Sequence, residues 1–280
     1  MKTNSRKLRK RRSSSKKIQS VTDLPRFESI KEAINQTWKS IEILERSKRK
    51  FALNQALANR MKRCVQEKER CNSLACNYCR RRFRIKKVNP LAEKIIGKEH
   101  FWGFVTYIGY QFAFPKEELE DFDHQKFKNS LSHTLRRAGF KGPIFGNVEI
   151  DYHPYGGDKM LPHVHFLMFL NEENISAYSS LQMRLNHKVE KGQLKHIKPR
   201  RRPKPLHMKA VKSPYGVISY MNKIAMYKVP DFRIKGTKNR YRTGKKQRLP
   251  DDLYCDSLHL LDSISEDKVQ FIYGIDRWND

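Results

Sequence analysis

The sequence predicts an α+β protein: an antiparallel β-sheet with packed helices, preceded by a helical region that contains a cysteine-rich knuckle. Three observations support this class. Apolar residues recur every three or four positions between residues 29 and 61. Four cysteines then lie within a short segment ending at Cys79. From residue 101 to 170, β-branched and aromatic segments alternate with turn residues, which is the pattern of paired strands.

Charge is the strongest compositional signal. The 280 residues include 59 Lys and Arg against 29 Asp and Glu, a formal net charge of +30. Such a charge repels itself in a compact fold and favours an anionic partner, which indicates nucleic acid rather than a membrane surface. The chain has no apolar run of about 20 residues and no apolar core behind its basic N-terminus, so we expect a cytoplasmic protein with no membrane partner.

The first 28 residues predict a disordered basic arm. Residues 1–20 contain nine Lys or Arg and no acidic residue, and Ser13-Ser14-Ser15 interrupts the run. An arm of this kind neutralises phosphates without reading a base sequence, although a basic targeting signal is an alternative. The following apolar stripe predicts two helices, or one kinked helix, whose buried side includes Ile30, Ile34, Trp38, Ile41, Leu44, Leu53, Leu57 and Met61.

The cysteine cluster closes the helical region, which we assign to residues 29–98. Four thiolates in one short segment are typical of a tetrahedral structural Zn²⁺ site, and the alternative is a group of reduced, unliganded cysteines. A run of arginines beside the cluster, as expected where zinc organises a nucleic-acid contact, predicts a DNA-binding surface. The predicted zinc ligands are Cys64, Cys71, Cys76 and Cys79, and the arginines are Arg80, Arg81 and Arg82.

Residues 99–230 predict the main α+β domain. We expect strands at 101–108, 146–152, 160–170 and 206–211, with helices from 115 to 138 and over 172–189. Between 191 and 204 a basic, Pro-containing connector includes Arg200, Arg201 and Arg202, which suit a DNA backbone contact. We assign residues 231–280 to a basic loop and a C-terminal extension, with a helix near 250–264 and a strand near 269–273.

Two histidines stand out in the predicted domain. Side chains alternate along a strand, so His163 and His165 face the same side of the sheet. A hairpin with the preceding strand brings Glu149 or Asp151 towards them. Two imidazoles and a carboxylate, with coordination positions left open, suit Mg²⁺ or Mn²⁺ beside a phosphate. The alternative is a polar row that faces solvent.

Tyrosines follow in the next helical pattern. Ser213-Pro214 is a helix-start signature, and we expect the helix to continue to about Lys228. On that helix Tyr220, Lys223 and Tyr227 share one face. Taken alone, the pattern around Tyr220 favours a buried aromatic residue of an amphipathic helix over a catalytic one.

The order of these motifs resembles the HUH endonuclease family, which includes rolling-circle replication initiators, conjugative relaxases and single-strand transposases. His163-Val164-His165 matches its His-apolar-His triplet, Tyr220 to Lys223 matches its Tyr-x-x-Lys motif, and Phe101 to Ile108 matches its first apolar strand. The resemblance spans about residues 100–228 and implies an HUH or RRM-like sheet. It further implies Glu149 as the third metal ligand, with Asp151 as the alternative.

The resemblance implies that Tyr220 attacks DNA and forms a 5′-phosphotyrosyl link, with Lys223 assisting. Tyr227 lies farther from Tyr220 than second tyrosines of the family usually do, so we expect an accessory role. The function so indicated is a plasmid rolling-circle replication initiator that nicks and joins single-stranded or hairpin DNA at an origin. The sequence contains no P-loop motif, so the chain itself supplies no ATP-driven unwinding of DNA. A host helicase is therefore a candidate partner. The alternatives are a transposase of the same chemistry and a non-enzymatic zinc-knuckle DNA- or RNA-binding protein.

Overall fold

A seven-stranded sheet forms the centre of the computed structural model, which describes residues 18–98, 101–154, 157–193, 204–233, 240–242 and 246–274. The strands are β1 (Trp102–Ile108), β2 (Phe114–Pro115), β3 (Ile144–His153), β4 (Lys159–Phe169), β5 (Leu206–Ala210), β6 (Tyr227–Lys228) and β9 (Gln270–Tyr273). The main path of the sheet runs β5-β1-β4-β3-β6, with β2 beside β4 and β9 beside β3. All pairings are antiparallel except that of β6 with β3. A separate ribbon pairs β7 (Asp231–Arg233) with β8 (Arg240–Arg242).

Eight α-helices are present in the described ranges, and the α+β class predicted from the sequence is confirmed. The two helices expected between residues 29 and 61 are both present, and the helices and strands expected after 172, 206, 250 and 269 are also found. The helices are α1 (Ile30–Arg46), α2 (Phe51–Val65), α3 (Asn77–Ile95), α4 (His124–Ala138), α5 (Glu172–Glu190), α6 (Pro214–Met221), α7 (Asp251–Ser263) and α8 (Glu266–Val269).

Alternation along β4 gives the sheet two different faces. Val164, Phe166 and Met168 point to one face and are completely buried against residues of α4 and α5. This face is a continuous apolar core. Its burial fixes the register of β4, because a slip of one residue would exchange these side chains with the histidines.

The opposite face of the sheet is divided into an apolar half and a polar half. At one end, Trp102 and Leu167 are buried beneath α3 and α6, in a cluster that includes Val88 and Ile218. At the other end β3 and β4 present acidic and histidine side chains. The apolar half anchors the helices against the sheet and leaves the polar half beside them.

The cysteine segment lies in a second core, formed by α1, α2, the start of α3 and α7. Ile41, Leu57, Cys76 and Leu258 are buried together in this cluster. The predicted C-terminal extension is therefore part of the fold wherever it is described: α7 completes this core, and β9 joins the sheet beside β3.

Three predicted boundaries were wrong. Residues 18–28 do not belong to a disordered arm, because Val21 is fully buried and its amide donates to Asn89, while Glu28 pairs with Arg84. The helix expected from residue 115 begins only at His124, where the Asp123 carboxylate caps the amide of Lys126; a 3₁₀ segment precedes it.

The third error concerns the helix that contains Tyr220. It ends at Met221 instead of near Lys228, with Asn222 as its C-cap. Ile224 adopts a positive φ of 45° and is buried in the second core, which contains the cysteine segment. Tyr227 then pairs with Asp151 as part of β6. Burial of Ile224 and pairing with β3 thus replace the last helical turns.

Candidate metal centre and neighbouring tyrosines

Strand register builds the candidate metal centre. Glu149 of β3 lies directly opposite His163 of β4, and Thr106 of β1 lies opposite His165. All of these side chains point to the polar half of the sheet face. Because β4 is flanked by β1 and β3, both histidines occupy the middle of the sheet.

Glu149 reaches both histidines. Its Oε2 atom lies 3.6 Å from Nε2 of His163 and 3.9 Å from Nε2 of His165. One ligand atom from each of these three residues lies within 4.8 Å of the others, and all three side chains are buried. The predicted Glu-His-His set is therefore assembled as a group that can hold an ion.

Asp151 has a different partner. Its Oδ2 lies 2.8 Å from the ammonium of Lys246, which is 3.9 Å from Glu149, while the distance from Asp151 to His163 Nε2 is 3.9 Å. The two carboxylates thus differ: Glu149 contacts both imidazoles, whereas Asp151 is held by a lysine. Burial lowers the pKa of Lys246, but the charges of Asp151 and Glu149 outweigh that effect and raise it, so the lysine stays charged.

The pKa values of the two histidines shift in opposite directions. Burial lowers the pKa of His165 to about 3, so its ring is neutral near pH 7. Burial also lowers the pKa of His163, but contact with Glu149 and the charge of Asp151 more than compensate, and its net shift is upward. His165 Nδ1 is hydrogen-bonded to the hydroxyl of Thr106 at 2.8 Å, and Phe104 stacks on the ring with centroids 5.4 Å apart. These contacts orient Nε2 towards Glu149.

Within the described part of the chain, three buried polar atoms of this centre have no hydrogen-bond partner: Nε2 of His165, Oε1 of Glu149 and Oδ1 of Asp151. An unsatisfied buried polar atom is destabilising by about 1–3 kcal/mol, so a cluster of them favours the binding of a ligand. Carboxylate oxygens and imidazole nitrogens with open positions suit a small divalent cation. The residues present therefore fit Mg²⁺ or Mn²⁺.

Tyr220 lies at the mouth of this centre. Its ring centroid is 5.1 Å from that of His165 and 5.9 Å from that of Phe104, and the side chain is 39% exposed. Burial and the nearby charge of Glu149 raise the pKa of the phenol. The hydroxyl is therefore protonated at neutral pH, and a cation bound at Glu149 would oppose that shift.

Lys223 and Tyr227 stay close to Tyr220 even though the helix ends first. The Lys223 ammonium is 5.8 Å from the ring centroids of both tyrosines. The ring centroid of Tyr227 is 5.3 Å from the Lys246 ammonium, and burial raises the pKa of the Tyr227 phenol. The prediction that Tyr220, Lys223 and Tyr227 share one face of a single helix was wrong, because the helix ends at Met221. A turn of the chain after Asn222 nevertheless brings the three side chains together.

The four cysteines of the helical region also meet. Cys64 and Cys79 have sulfurs 3.4 Å apart, Cys71 and Cys79 3.6 Å, and Cys64 and Cys76 4.0 Å. Tetrahedral zinc with bonds of about 2.3 Å separates its sulfurs by about 3.8 Å, which matches this spacing. Hydrogen bonds from the Cys71 and Cys79 thiols lower the pKa of Cys76. The donors therefore fit a structural Zn²⁺.

The predicted DNA-binding arginines have different environments. Arg80 donates to the carbonyl of Ile224 at 2.6 Å, and Arg81 donates to that of Glu28 at 2.8 Å, so both brace the protein itself. Arg82 is exposed on α3. Arg200, Arg201 and Arg202 lie outside the described residues.

Sequence reasoning missed Lys246, Thr106 and Phe104. Lys246 lies in the region that the sequence predicts only as a basic loop, and no local pattern places its ammonium at Asp151. Thr106 and Phe104 do alternate with apolar residues in a predicted strand. That alternation shows that they share a face, but only the register of β1 against β4 places them beside His165.

Comparisons with protein-family models, curated proteins and solved structures found no match. Among the helices that the structure describes, none has the length and apolar character needed to cross a membrane.

Proposed function

We propose that this protein is a metal-dependent enzyme that nicks and joins single-stranded DNA with Tyr220 as nucleophile, and that it initiates rolling-circle plasmid replication. The strongest support is the position of Tyr220, whose ring centroid lies 5.1 Å from that of His165. The phenol is thus at the edge of the Glu-His-His group, in which potential metal-ligand atoms make no hydrogen bond to the described residues. A phenol beside an open cation site is the arrangement that phosphodiester attack needs. The +30 charge supports a polyanionic substrate.

Glu149, His163 and His165 would hold the Mg²⁺ or Mn²⁺ ion, and Asp151 stays with Lys246. When bound, the ion supplies positive charge that polarises the phosphate and favours the phenolate. Thr106 keeps His165 oriented through its Nδ1 atom. Phe104 packs against the rings of both His165 and Tyr220 and so limits the movement of the Tyr220 phenol relative to the metal ligand His165.

In the proposed step Tyr220 Oη forms a bond to phosphorus and the bond to the 3′-oxygen breaks. The phenol loses one proton and the departing 3′-oxygen gains one, so the reaction is balanced. The Lys223 ammonium lies near the Tyr220 ring and can neutralise charge that develops on the phosphate. The phosphotyrosyl bond keeps the energy of the broken linkage, and a later 3′-hydroxyl attack can rejoin strands.

The test is covalent adduct formation with a pool of single-stranded and hairpin oligonucleotides and Mn²⁺, resolved on a denaturing protein gel. Label placed at the 3′ end should move with the protein, and label at the 5′ end should not, because the tyrosine retains the 5′-phosphate side. Tyr220→Phe should abolish the adduct, and the matched variant Tyr227→Phe should keep it.

The reverse pattern would make Tyr227 the nucleophile. If no pool member forms an adduct while DNA binding stays tight and salt-sensitive, the enzyme proposal is wrong. The basic charge and the cysteine cluster would then favour the zinc-knuckle binding protein.

A further inference from the structure

A cavity of about 350 Å³ lies between α3 and the β3–β9 edge of the sheet, on the face that bears the metal centre. Lys86, Lys87 and Lys94 of α3 line one side. Phe145 of β3 and Ile272 of β9 line the opposite side, and the lining is mainly apolar. A basic rim around an apolar, aromatic-lined cavity matches the two parts of a nucleotide, since the phosphate is anionic and the base is flat and weakly polar.

The uncharged polar side chains that line this cavity are amides. Asn147, Asn222 and Gln270 all line it. Asn147 donates to the carbonyl of Met221 at 3.2 Å and to Oδ1 of Asn222 at 2.9 Å. Among the described residues none hydrogen-bonds to its own Oδ1, although Asn147 is only 2% exposed. A buried acceptor without a donor favours a ligand that brings an N–H group, as the edge of every nucleobase can.

The cavity is next to the reaction centre. Asn147 precedes Glu149 by two residues on the same face of β3, which corresponds to about 7 Å along the strand. Asn222 comes two residues after Tyr220. A base in the cavity would thus belong to a nucleotide near the phosphate held at Glu149 and the histidines.

We infer that this cavity receives one base of the single-stranded substrate, with Asn147 accepting from the base edge, Phe145 contacting its ring and the α3 lysines contacting neighbouring phosphates. The identity of the strand rests on the proposed function, but binding of a base does not require cleavage. The cavity therefore gives the enzyme a means of selecting the base beside the nick, in addition to the sequence-independent attraction of its charge.

The test uses zinc-loaded Tyr220→Phe protein without added Mg²⁺ or Mn²⁺, and a 12-nucleotide oligothymidylate with one central 5-iododeoxyuridine. After irradiation and digestion, the cross-linked peptide should contain Phe145 of β3. Cross-links confined to peptides with Tyr227 or Tyr254, which line a separate cavity beside α7, would overturn the inference.

A matched pair of variants tests the same point by affinity. Ile272 and Ile175 are 46% and 45% exposed, and Ile175 is on α5 behind the other face of the sheet. Ile272→Glu should weaken binding of the oligothymidylate about tenfold and remove the Phe145 cross-link, because a base would have to desolvate the new carboxylate. Ile175→Glu adds the same charge and should change neither. Equal effects of the two variants would overturn the inference.

Failure here can be told apart from failure of the nicking proposal. A wild-type adduct together with cross-links outside the cavity would overturn only the base site. Cross-links at Phe145 without any adduct would support the base site and contradict the nicking activity.

Discussion

The two candidate metal sites of this protein are built in opposite ways. The cysteine site takes four ligands from one segment between Cys64 and Cys79, enclosed by the apolar core of α1, α2 and α7. The sheet site takes three ligands from two strands and lies beside Tyr220, which is partly exposed. Four sulfurs complete a tetrahedron, whereas three nitrogen and oxygen donors leave positions for water or substrate.

The difference is the one expected between a structural site and a reactive one. At the cysteine site the ligands come from the end of α2, the segment after it and the start of α3, so loss of the ion would remove the link that it makes between the two helices. At the sheet site the surrounding strands are paired on both sides whether or not an ion is bound. We therefore expect the first ion to maintain the fold and the second to exchange freely without affecting it.

The largest effect should come from Cys76→Ser. Losing one of four thiolates weakens zinc binding and should lower the free energy of unfolding by more than about 4 kcal/mol. Zinc content by elemental analysis and thermal unfolding by circular dichroism would measure this. Cys255→Ser is the matched control, because Cys255 is buried in the same core but outside the metal group. Equal losses in both variants would make the cluster an ordinary part of the core.

The next effect should be confined to activity. His163→Ala combined with His165→Ala should reduce adduct formation about 10³-fold, since the ion that polarises the phosphate is lost. A short EDTA treatment should do the same in the wild type, with recovery on addition of Mn²⁺ and no loss of zinc. Release of zinc in step with activity would break the distinction between the two sites.

Acid should weaken ion binding at the sheet site. The pKa of His163 is raised above 6.5 and that of His165 is lowered to about 3. Below the pKa of His163, the ion must displace its proton, and His165 holds none, so Mn²⁺ affinity should fall about tenfold per pH unit towards pH 5. Electron paramagnetic resonance of free Mn²⁺ would report this slope. A hundredfold fall per unit would mean that both rings are protonated.

The smallest effect concerns Lys246, whose ammonium lies 2.8 Å from Asp151 and 3.9 Å from Glu149. Lys246→Met removes a positive charge from the edge of the site, so Mn²⁺ affinity should rise roughly tenfold, a modest gain because the lysine is partly exposed to solvent. Lys246→Arg should keep the wild-type affinity. Weaker binding in the methionine variant would show that the lysine supports the site instead of opposing the ion.

Sequence patterns were reliable where a motif is local or periodic. The cysteine spacing predicted a group that the structure assembles, and alternation around Val164 placed both histidines on one face. Helix ends were less predictable: the turn after Met221 depends on burial of Ile224 in a distant core. The helical periodicity of a sequence can extend beyond the residue at which tertiary contacts end the helix.

The sequence by itself determined which chemical groups are available and which share a face, because side-chain direction follows from backbone periodicity within one segment. Only the tertiary structure decided which carboxylate lies near both histidines, Glu149 or Asp151. That placement depends on the register of β3 against β4 and on Lys246, which lies nearly 100 residues away along the chain. The same holds for Tyr227, which a strand pairing and not a helix brings to the site. Such contacts arise from burial and pairing between segments far apart in sequence, and no local pattern encodes them.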